Sequence, residues 1–209
     1  MNIYSWYLLA LISTTNAIAQ SLPDSDMYLL KGYINISDFE NFSAKFAAGT
    51  IRTVKFENCY GGNGLAGFRF AEKIKKEKLI TVASGVVASS CAFAFLGGSV
   101  RKIDRKAEQT TLVFHGTYYP GTLAPKGPRA NQEFLDIFEK YIGFKFSPVV
   151  QRIIINSKVI DEGAYFMTAP HGSRARSTGY YCDGKLPFNS STCVNLPGIT
   201  MESEGFLTE

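Results

Sequence analysis

The fold is decided by the stretch GVVASSCAFAFLGG at residues 85–98. Its first residues are apolar and rich in valine, which predicts a buried strand, and small residues then lead into an apolar helix. Ser89 lies at the turn between strand and helix, close to the free backbone N–H groups at the start of that helix. A serine in this position is a candidate nucleophile.

Two other features accompany the serine. The pair Gly61-Gly62 follows an earlier predicted strand, and His115 ends a later one. A neutral His115 would accept the Ser89 proton and return it to a leaving group. The backbone N–H groups of Gly62 and Ser90 would face a developing oxyanion, and glycine leaves room for that approach. The alternative is that Ser89 and His115 only pack.

The rest of the chain alternates predicted strands with predicted helices. Expected strands are 27–34, 51–58, 79–87 and 110–114. Expected helices follow Ser37 or Asp38, the turn at 61–64, Ser89, Asn131 and Ser147. This order predicts a single α/β domain, with a mainly parallel sheet and helical crossovers. The continuous apolar run at 79–87 predicts helices on both faces of the sheet.

The residues described so far resemble one protein family. The segment NCYGGNGLAG at 58–67 resembles the Asn-Ser-Pro-Gly-Gly segment of the proteolytic subunit of Clp protease, and 85–98 resembles that family's nucleophile segment. His115 follows Ser89 at close to the family's spacing. The resemblance covers residues 27–115 and implies the ClpP/crotonase-like fold. It also implies a serine peptidase with Ser89 as nucleophile and His115 as base.

The chain departs from that family at the third catalytic group. The family has an aspartate shortly before a run that 166–169 resembles, and Ala164 occupies the position of the aspartate. Asp161 and Glu162 lie just upstream, and either carboxylate would orient the imidazole if it reached His115, with a slight preference for Glu162. The alternative is two solvated carboxylates, which leaves a Ser-His dyad or an inactive site.

The N-terminus predicts export. Residues 1–19 are predicted to be a signal peptide, because 3–12 is mostly apolar and Ala17-Ile18-Ala19 has the small-x-small pattern of a cleavage site. The apolar run is shorter than the roughly 20 residues of a spanning helix. We therefore expect a mature ClpP/crotonase-like domain at 20–209 that is periplasmic or secreted. The alternative is a membrane anchor through an uncleaved N-terminus, since no Lys or Arg precedes Asp24.

Four cysteines are present in this exported chain, namely Cys59, Cys91, Cys182 and Cys193. An even number predicts two disulfides, for which three pairings exist. Cys182 and Cys193 bracket a short polar loop and are the natural local pair, which leaves Cys59 with Cys91. The second bond would join the oxyanion turn to the nucleophile helix. No Cys-x-x-Cys motif or Cys/His cluster occurs, so we expect no metal and no cofactor.

The preferred function is an exported serine hydrolase, most simply a peptidase whose extended substrates add to a sheet edge beside Gly61-Gly62. A catalytically degenerate relative that binds peptides or assembles is the alternative, and an esterase or thioesterase is a third.

The net charge of +4 is mild and the basic residues are scattered, which argues against nucleic-acid binding. An exported chain implies no ATPase partner. The resemblance allows a homo-oligomer through the predicted helix 131–142, whose apolar stripe equally suits the core.

Overall fold

The structure is a computed structural model that describes residues 26–119, 122–169, 177–184 and 192–208. The predicted signal peptide and the second of the two histidines, His171, lie outside the described residues. In chain order the elements are β1 (Met27–Ile34), α1 (Ile36–Ala47), β2 (Thr53–Gly62), α2 (Gly64–Lys76), β3 (Ile80–Ala88), α3 (Ser90–Phe95), β4 (Val100–Ile103), β5 (Thr111–Phe114), α4 (Pro128–Ile142), α5 (Pro148–Asn156), β6 (Glu162–Thr168), β7 (Ser177–Asp183) and β8 (Val194–Asn195).

The described strands form one sheet in the order β1-β2-β3-β5-β6-β7-β8, and β4 also pairs with β3. The pairs among β1 to β5 are parallel, and those from β5 to β8 are antiparallel. The α/β class, with a mainly parallel sheet and helical crossovers, is therefore confirmed. The antiparallel part was not expected. Residues 169–176 join β6 to β7 and are too few for a crossover, which needs a dozen or more.

The helices pack on one face of the sheet, and the expectation of helices on both faces is wrong. Alternate strand residues such as Leu30, Phe56 and Phe114 are buried with the helices in one apolar core. On the other face of β1 and β2, Lys31 and Lys55 both bind the carboxylate of Glu57. The run at 80–88 appears continuous in the sequence because it contains small residues, yet its buried positions partly alternate.

The core on the helical face is dominated by phenylalanine. The Phe93 ring of α3 makes edge contacts with Phe114 of β5 and Phe138 of α4. The apolar stripe of α4 divides between core and surface, because Phe138 is fully buried whereas Ile137 and Tyr141 are each 48% exposed. The core interpretation of this helix thus holds for its inner residues. These contacts fix α3, and with it the turn at Ser89, against the end of the parallel sheet.

Two local expectations need correction. The first helix is capped by Asn35, because its side chain accepts a hydrogen bond from the Asp38 N–H while the Asp38 carboxylate accepts one from the Asn35 N–H. Strand β2 continues past Asn58 to Gly62, and the glycine pair lies opposite Tyr33 and Ile34 of β1. The edge of Gly61-Gly62 that faces β1 is therefore occupied, whereas the pairing of β2 with β3 ends at Cys59 opposite Val87. A substrate strand beside the glycine pair stays a prediction for that second edge.

Candidate functional site

Ser89 connects β3 to α3 with a backbone conformation that non-glycine residues rarely adopt. Its φ is 54° and its ψ is −131°. Its N–H donates to the Val113 carbonyl of β5 at 2.9 Å, and its own carbonyl accepts the Phe93 N–H of α3 at 3.0 Å. Such a conformation costs about 1–3 kcal/mol and persists only where the surroundings impose it. The strand and the helix together hold the half-buried Ser89 side chain at the carboxyl end of the sheet.

Gly61 lies directly against the Ser89 side chain. A Cβ added to Gly61 would come within 2.5 Å of Ser89 Cβ and 3.0 Å of its Oγ, and the φ of Gly61 is +100°. Gly62 has a φ of +120°, and a Cβ there would come within 2.3 Å of the Ile34 carbonyl oxygen. The Ser90 hydroxyl donates to the Gly62 carbonyl at 3.2 Å. Glycine is thus required at both positions, for conformation and for space.

A disulfide connects the Gly61-Gly62 end of β2 to α3. Cys59 of β2 and Cys91 of α3 are bonded and fully buried, and Cys182 and Cys193 form the second bond. Both expected pairings are therefore confirmed. The Gly61 N–H donates to the Cys91 Sγ at 3.2 Å, which fixes the peptide in front of Ser89. Two disulfides indicate an oxidising compartment.

The two disulfides permit a matched comparison. We expect Cys59→Ala/Cys91→Ala to lower the free energy of unfolding by about 3–4 kcal/mol, since it opens the longer loop, and Cys182→Ala/Cys193→Ala by about 2–3 kcal/mol. The loops span 32 and 11 residues. Urea unfolding followed by circular dichroism measures both values. Equal or reversed effects would contradict the prediction.

Asn58 aligns the ends of β2 and β3. Its Oδ1 accepts the Val86 N–H at 3.1 Å, and its φ is 47°, which asparagine tolerates better than most residues. Gly85 faces this side chain, and a Cβ at Gly85 would lie 2.2 Å from Asn58 Oδ1. The pairing of β2 with β3 is irregular at this point, between Glu57 and Cys59. Asn58 belongs to the segment 58–67 that carries the family resemblance, but no sequence pattern specifies its contact with Gly85.

His115 follows β5 and lies at the same end of the sheet as Ser89. The imidazole is buried, and its Nδ1 lies 2.7 Å from the Gly116 carbonyl oxygen. A carbonyl only accepts, so Nδ1 carries a proton and Nε2 is left with the lone pair of a base in the neutral ring. Burial lowers the pKa of His115, opposed by the Gly116 carbonyl and by the charge of Asp161. The ring is therefore neutral at pH 7.

Gly163 makes room for the histidine. Gly163 belongs to β6 and lies next to His115, which follows β5. A Cβ at Gly163 would come within 3.1 Å of His115 Cβ and 2.5 Å of the Phe114 carbonyl oxygen. The Tyr118 ring makes an edge contact with the imidazole at 5.3 Å between centroids. In the described part of the chain, no hydrogen bond joins Ser89 Oγ to the His115 ring.

The two candidate carboxylates differ in their surroundings. The Glu162 carboxylate accepts the Lys158 N–H at 2.7 Å and the Tyr181 hydroxyl at 2.8 Å, so both its oxygens are engaged away from the histidine. Asp161 is the acid whose charge acts on His115. Neither carboxylate is hydrogen-bonded to His115 within the described ranges. Glu162, which the sequence favours slightly, is thus held by Lys158 and Tyr181, and the role of either carboxylate at His115 stays a prediction.

Ala164 occupies the position where the resemblance places an aspartate, and the structure gives a reason for a small apolar residue. It is fully buried and lies opposite Phe114 in the antiparallel pair of β5 and β6. The side chains of a strand alternate between faces, so Ala164 belongs to the helical core whereas Gly163 faces the histidine. A carboxylate at Ala164 would be buried in that core.

No group of three or more His, Cys, Asp or Glu side chains in the described ranges is arranged to hold a metal ion. The helices of those ranges are too short or too polar to cross a bilayer.

Comparisons with known proteins find similarity at the level of structure. No protein-family model matches the sequence, and no curated protein is detectably similar to it. A mutant of the 1510-N membrane-bound stomatin-specific protease is similar at 14% identity over 57% of this chain, with a TM-score of 0.42. A mutant of ClpP1 from Listeria monocytogenes is similar at 21% identity over 56% of this chain, with a TM-score of 0.40.

The similarity is partial for both proteins. This chain covers 64% of the length of the stomatin-specific protease and 68% of the ClpP1 chain. At these identities it concerns the fold of part of the chain alone. What the site does is argued below from its own residues.

Proposed function

We propose that this chain is a serine hydrolase, most simply a peptidase, with Ser89 as nucleophile and His115 as base. One observation carries the proposal. Ser89 has a positive φ at the carboxyl end of β3, in contact with Gly61, and the neutral His115 follows the neighbouring strand β5. Strained residues of this kind cluster at functional sites. A serine that only packed would not need such a conformation.

The reaction follows from the proposed roles. Ser89 Oγ attacks the acyl carbon while His115 Nε2 takes the hydroxyl proton. The imidazolium then gives that proton to the leaving amine, and the acyl–Ser89 ester remains. Water attacks the ester with His115 again as base, which releases the acid and restores Ser89. Atoms and protons balance without a metal or cofactor.

The oxyanion would be stabilised by backbone N–H groups. The Gly61 N–H is already bonded to the Cys91 sulfur, which leaves the Gly62 N–H as the donor from the glycine pair. The Ser90 N–H lies in the first turn of α3, where N–H groups have no acceptor within the helix. Each such donor contributes about a hundredfold to a thousandfold in rate.

A fluorophosphonate probe tests the proposal, because it reacts with an activated serine. The folded mature protein should be labelled at Ser89, as mapped by mass spectrometry of its peptides. Ser89→Ala should abolish labelling, and heat-denatured wild-type protein supplies the background. Labelling of the wild type no higher than that of Ser89→Ala would refute the hydrolase.

A catalytically degenerate peptide-binding or assembly protein is the second candidate. It is favoured by the missing hydrogen bond between Ser89 Oγ and the His115 ring, and by the lack of a carboxylate bonded to that ring, both within the described ranges. This candidate predicts that peptides bind to the wild type and to Ser89→Ala with equal affinity and without product. Calorimetry and product analysis on the same samples separate the two functions.

The proposed setting is an exported one. The mature protein would begin near Gln20 after removal of the signal peptide and would act in the periplasm or outside the cell on peptide or protein substrates. The two disulfides support an oxidising compartment. An oligomer of this chain would use the outer face of α4, where Ile137 and Tyr141 are exposed.

A further inference from the structure

Asn131 is a buried polar residue on the apolar face of α4. Its side chain is 0% exposed, and it lies on the same stripe as Leu135, Phe138 and Ile142, all of which are buried. A buried amide is unfavourable unless its donors and acceptor are all used. The contacts of Asn131 therefore explain why an amide occupies a core position.

All the hydrogen-bonding groups of this amide are used. Asn131 Oδ1 accepts the Thr117 N–H at 2.7 Å and the Thr117 hydroxyl at 2.8 Å. Asn131 Nδ2 donates to the carbonyls of Ile154 and Ile155, at 3.2 and 3.0 Å, near the end of α5. The orientation of the amide is unambiguous, because an N–H needs an acceptor and a carbonyl needs a donor. Asn131 thus ties the segment after His115 to the last turn of α5.

The Thr117 N–H and the Gly116 carbonyl belong to the same planar peptide unit. One end of this unit binds Asn131 Oδ1, and the other end accepts His115 Nδ1 at 2.7 Å. Gly116 allows the approach, because a Cβ there would lie 2.4 Å from Asn131 Nδ2. A continuous chain of hydrogen bonds therefore runs from the amide through one peptide to the imidazole.

We propose that Asn131 is a positioning residue for His115, which acts through the Gly116–Thr117 peptide in place of the missing aspartate. The inference rests on the proposed function, in which His115 acts as a base through Nε2 and therefore needs its proton held on Nδ1. Asn131 holds the peptide so that the Gly116 carbonyl faces Nδ1, which keeps the proton on Nδ1 and the lone pair on Nε2. Each hydrogen bond of such a chain polarises the next.

The arrangement has a chemical cost. An aspartate both orients the imidazole and stabilises the imidazolium by its charge, whereas a neutral carbonyl supplies the orientation and only part of the stabilisation. The charge of Asp161 acts on His115. Tyr118 and Tyr165 remain neutral, because burial and, to a smaller extent, the charges of nearby carboxylates raise their pKa values. The site therefore supplies a correctly oriented base with weaker charge compensation.

Nitrogen NMR of labelled protein tests the tautomer directly and needs no turnover. In the wild type at neutral pH, His115 Nδ1 should have the shift of a protonated nitrogen and Nε2 that of an unprotonated one. In Asn131→Leu, which fills similar volume, the two tautomers should become mixed. A wild-type proton on Nε2, or unchanged shifts in folded Asn131→Leu, would overturn the proposal. If Asn131→Leu does not fold, the wild-type tautomer decides, because a proton on Nδ1 supports the proposal and a proton on Nε2 overturns it.

Thr117→Val is a control that distinguishes the contribution of the Thr117 N–H from that of the Thr117 hydroxyl, since both donate to Asn131 Oδ1. Thr117→Val keeps the N–H bond to Asn131 and loses only the hydroxyl, so its tautomer should match the wild type, and a mixed tautomer would contradict the role of the peptide. If the hydrolase is active, Asn131→Leu should lower kcat by about tenfold to a hundredfold at unchanged KM, as when the outer partner of a functional histidine is lost. Absence of fluorophosphonate labelling would refute the hydrolase and leave the tautomer result standing.

Discussion

His115→Gln is expected to lower kcat/KM of the hydrolase by about four orders of magnitude or more, the scale seen when the base of a serine hydrolase is removed. Glutamine keeps a polar side chain of similar size but cannot take the Ser89 proton at neutral pH. The buried position of His115 and its Nδ1 contact with Gly116 leave Nε2 as the available base. The measurement is the initial rate of cleavage of an activated ester and of a peptide.

The chain offers a matched control for this substitution. His171 is the other of its two histidines, and His171→Gln should leave kcat/KM within about twofold of the wild type. A His115→Gln enzyme with nearly full activity would exclude His115 as the base. Equal losses in both variants would also contradict the assignment.

The rate should depend on pH through the same group. Burial lowers the pKa of His115 below its ordinary value of 6.5, so the neutral base predominates at pH 7. The log of kcat/KM should be flat above pH 7 and fall with a slope of one on the acid side of the lowered pKa. Stability should also fall below pH 6.5, because the unfolded chain then binds the proton more readily. A midpoint above 6.5 would contradict this picture.

The sequence predicts the central part of the fold well, because apolar periodicity and turn residues there agree with the final packing. Strand β1 at Met27–Ile34 and the Ser147 cap of α5 lie where the patterns indicate. The antiparallel strands β6 to β8 were missed, since their pairing depends on contacts between distant segments. The run at 79–87 wrongly predicted helices on both faces of the sheet, because its small residues are compatible with a buried or an exposed position.

The candidate site divides in the same way. The glycine pair is visible because a positive φ and a close approach favour glycine, and the serine is visible because it lies between a predicted strand and a predicted helix. Their packing together follows from the carboxyl end of the parallel strands. Asn131 is recognisable in the sequence as a polar residue on an otherwise apolar helical stripe. Its partners could not be predicted, because they are mainly backbone groups, which no side-chain motif specifies. The hydrogen bond from Tyr181 to Glu162 likewise could not be predicted, because it depends on the register in which β6 pairs with β7.

Gly61→Ala is expected to lower the free energy of unfolding by about 2–5 kcal/mol and to abolish labelling of Ser89. The estimate combines about 1–2 kcal/mol for a positive φ in a residue with a Cβ and about 1–3 kcal/mol for overpacking. The new methyl group would meet Ser89 Cβ at 2.5 Å and Oγ at 3.0 Å, so relief requires the nucleophile or the glycine pair to move. Denaturant unfolding and the rate of fluorophosphonate labelling measure the two effects.

Gly32→Ala separates the two causes, because Gly32 has a φ of +68° but no atom within 4 Å of an added Cβ. Only the backbone cost applies there, about 1–2 kcal/mol, and labelling of Ser89 should persist at the wild-type rate. If Gly61→Ala were no less stable than Gly32→Ala and were still labelled, Gly61 would not lie against the nucleophile. The supporting outcome is a large loss of labelling together with only a modest loss of stability. In that case most of the Gly61→Ala protein is still folded, so unfolding cannot explain the lost labelling, and the methyl group must act on Ser89 itself.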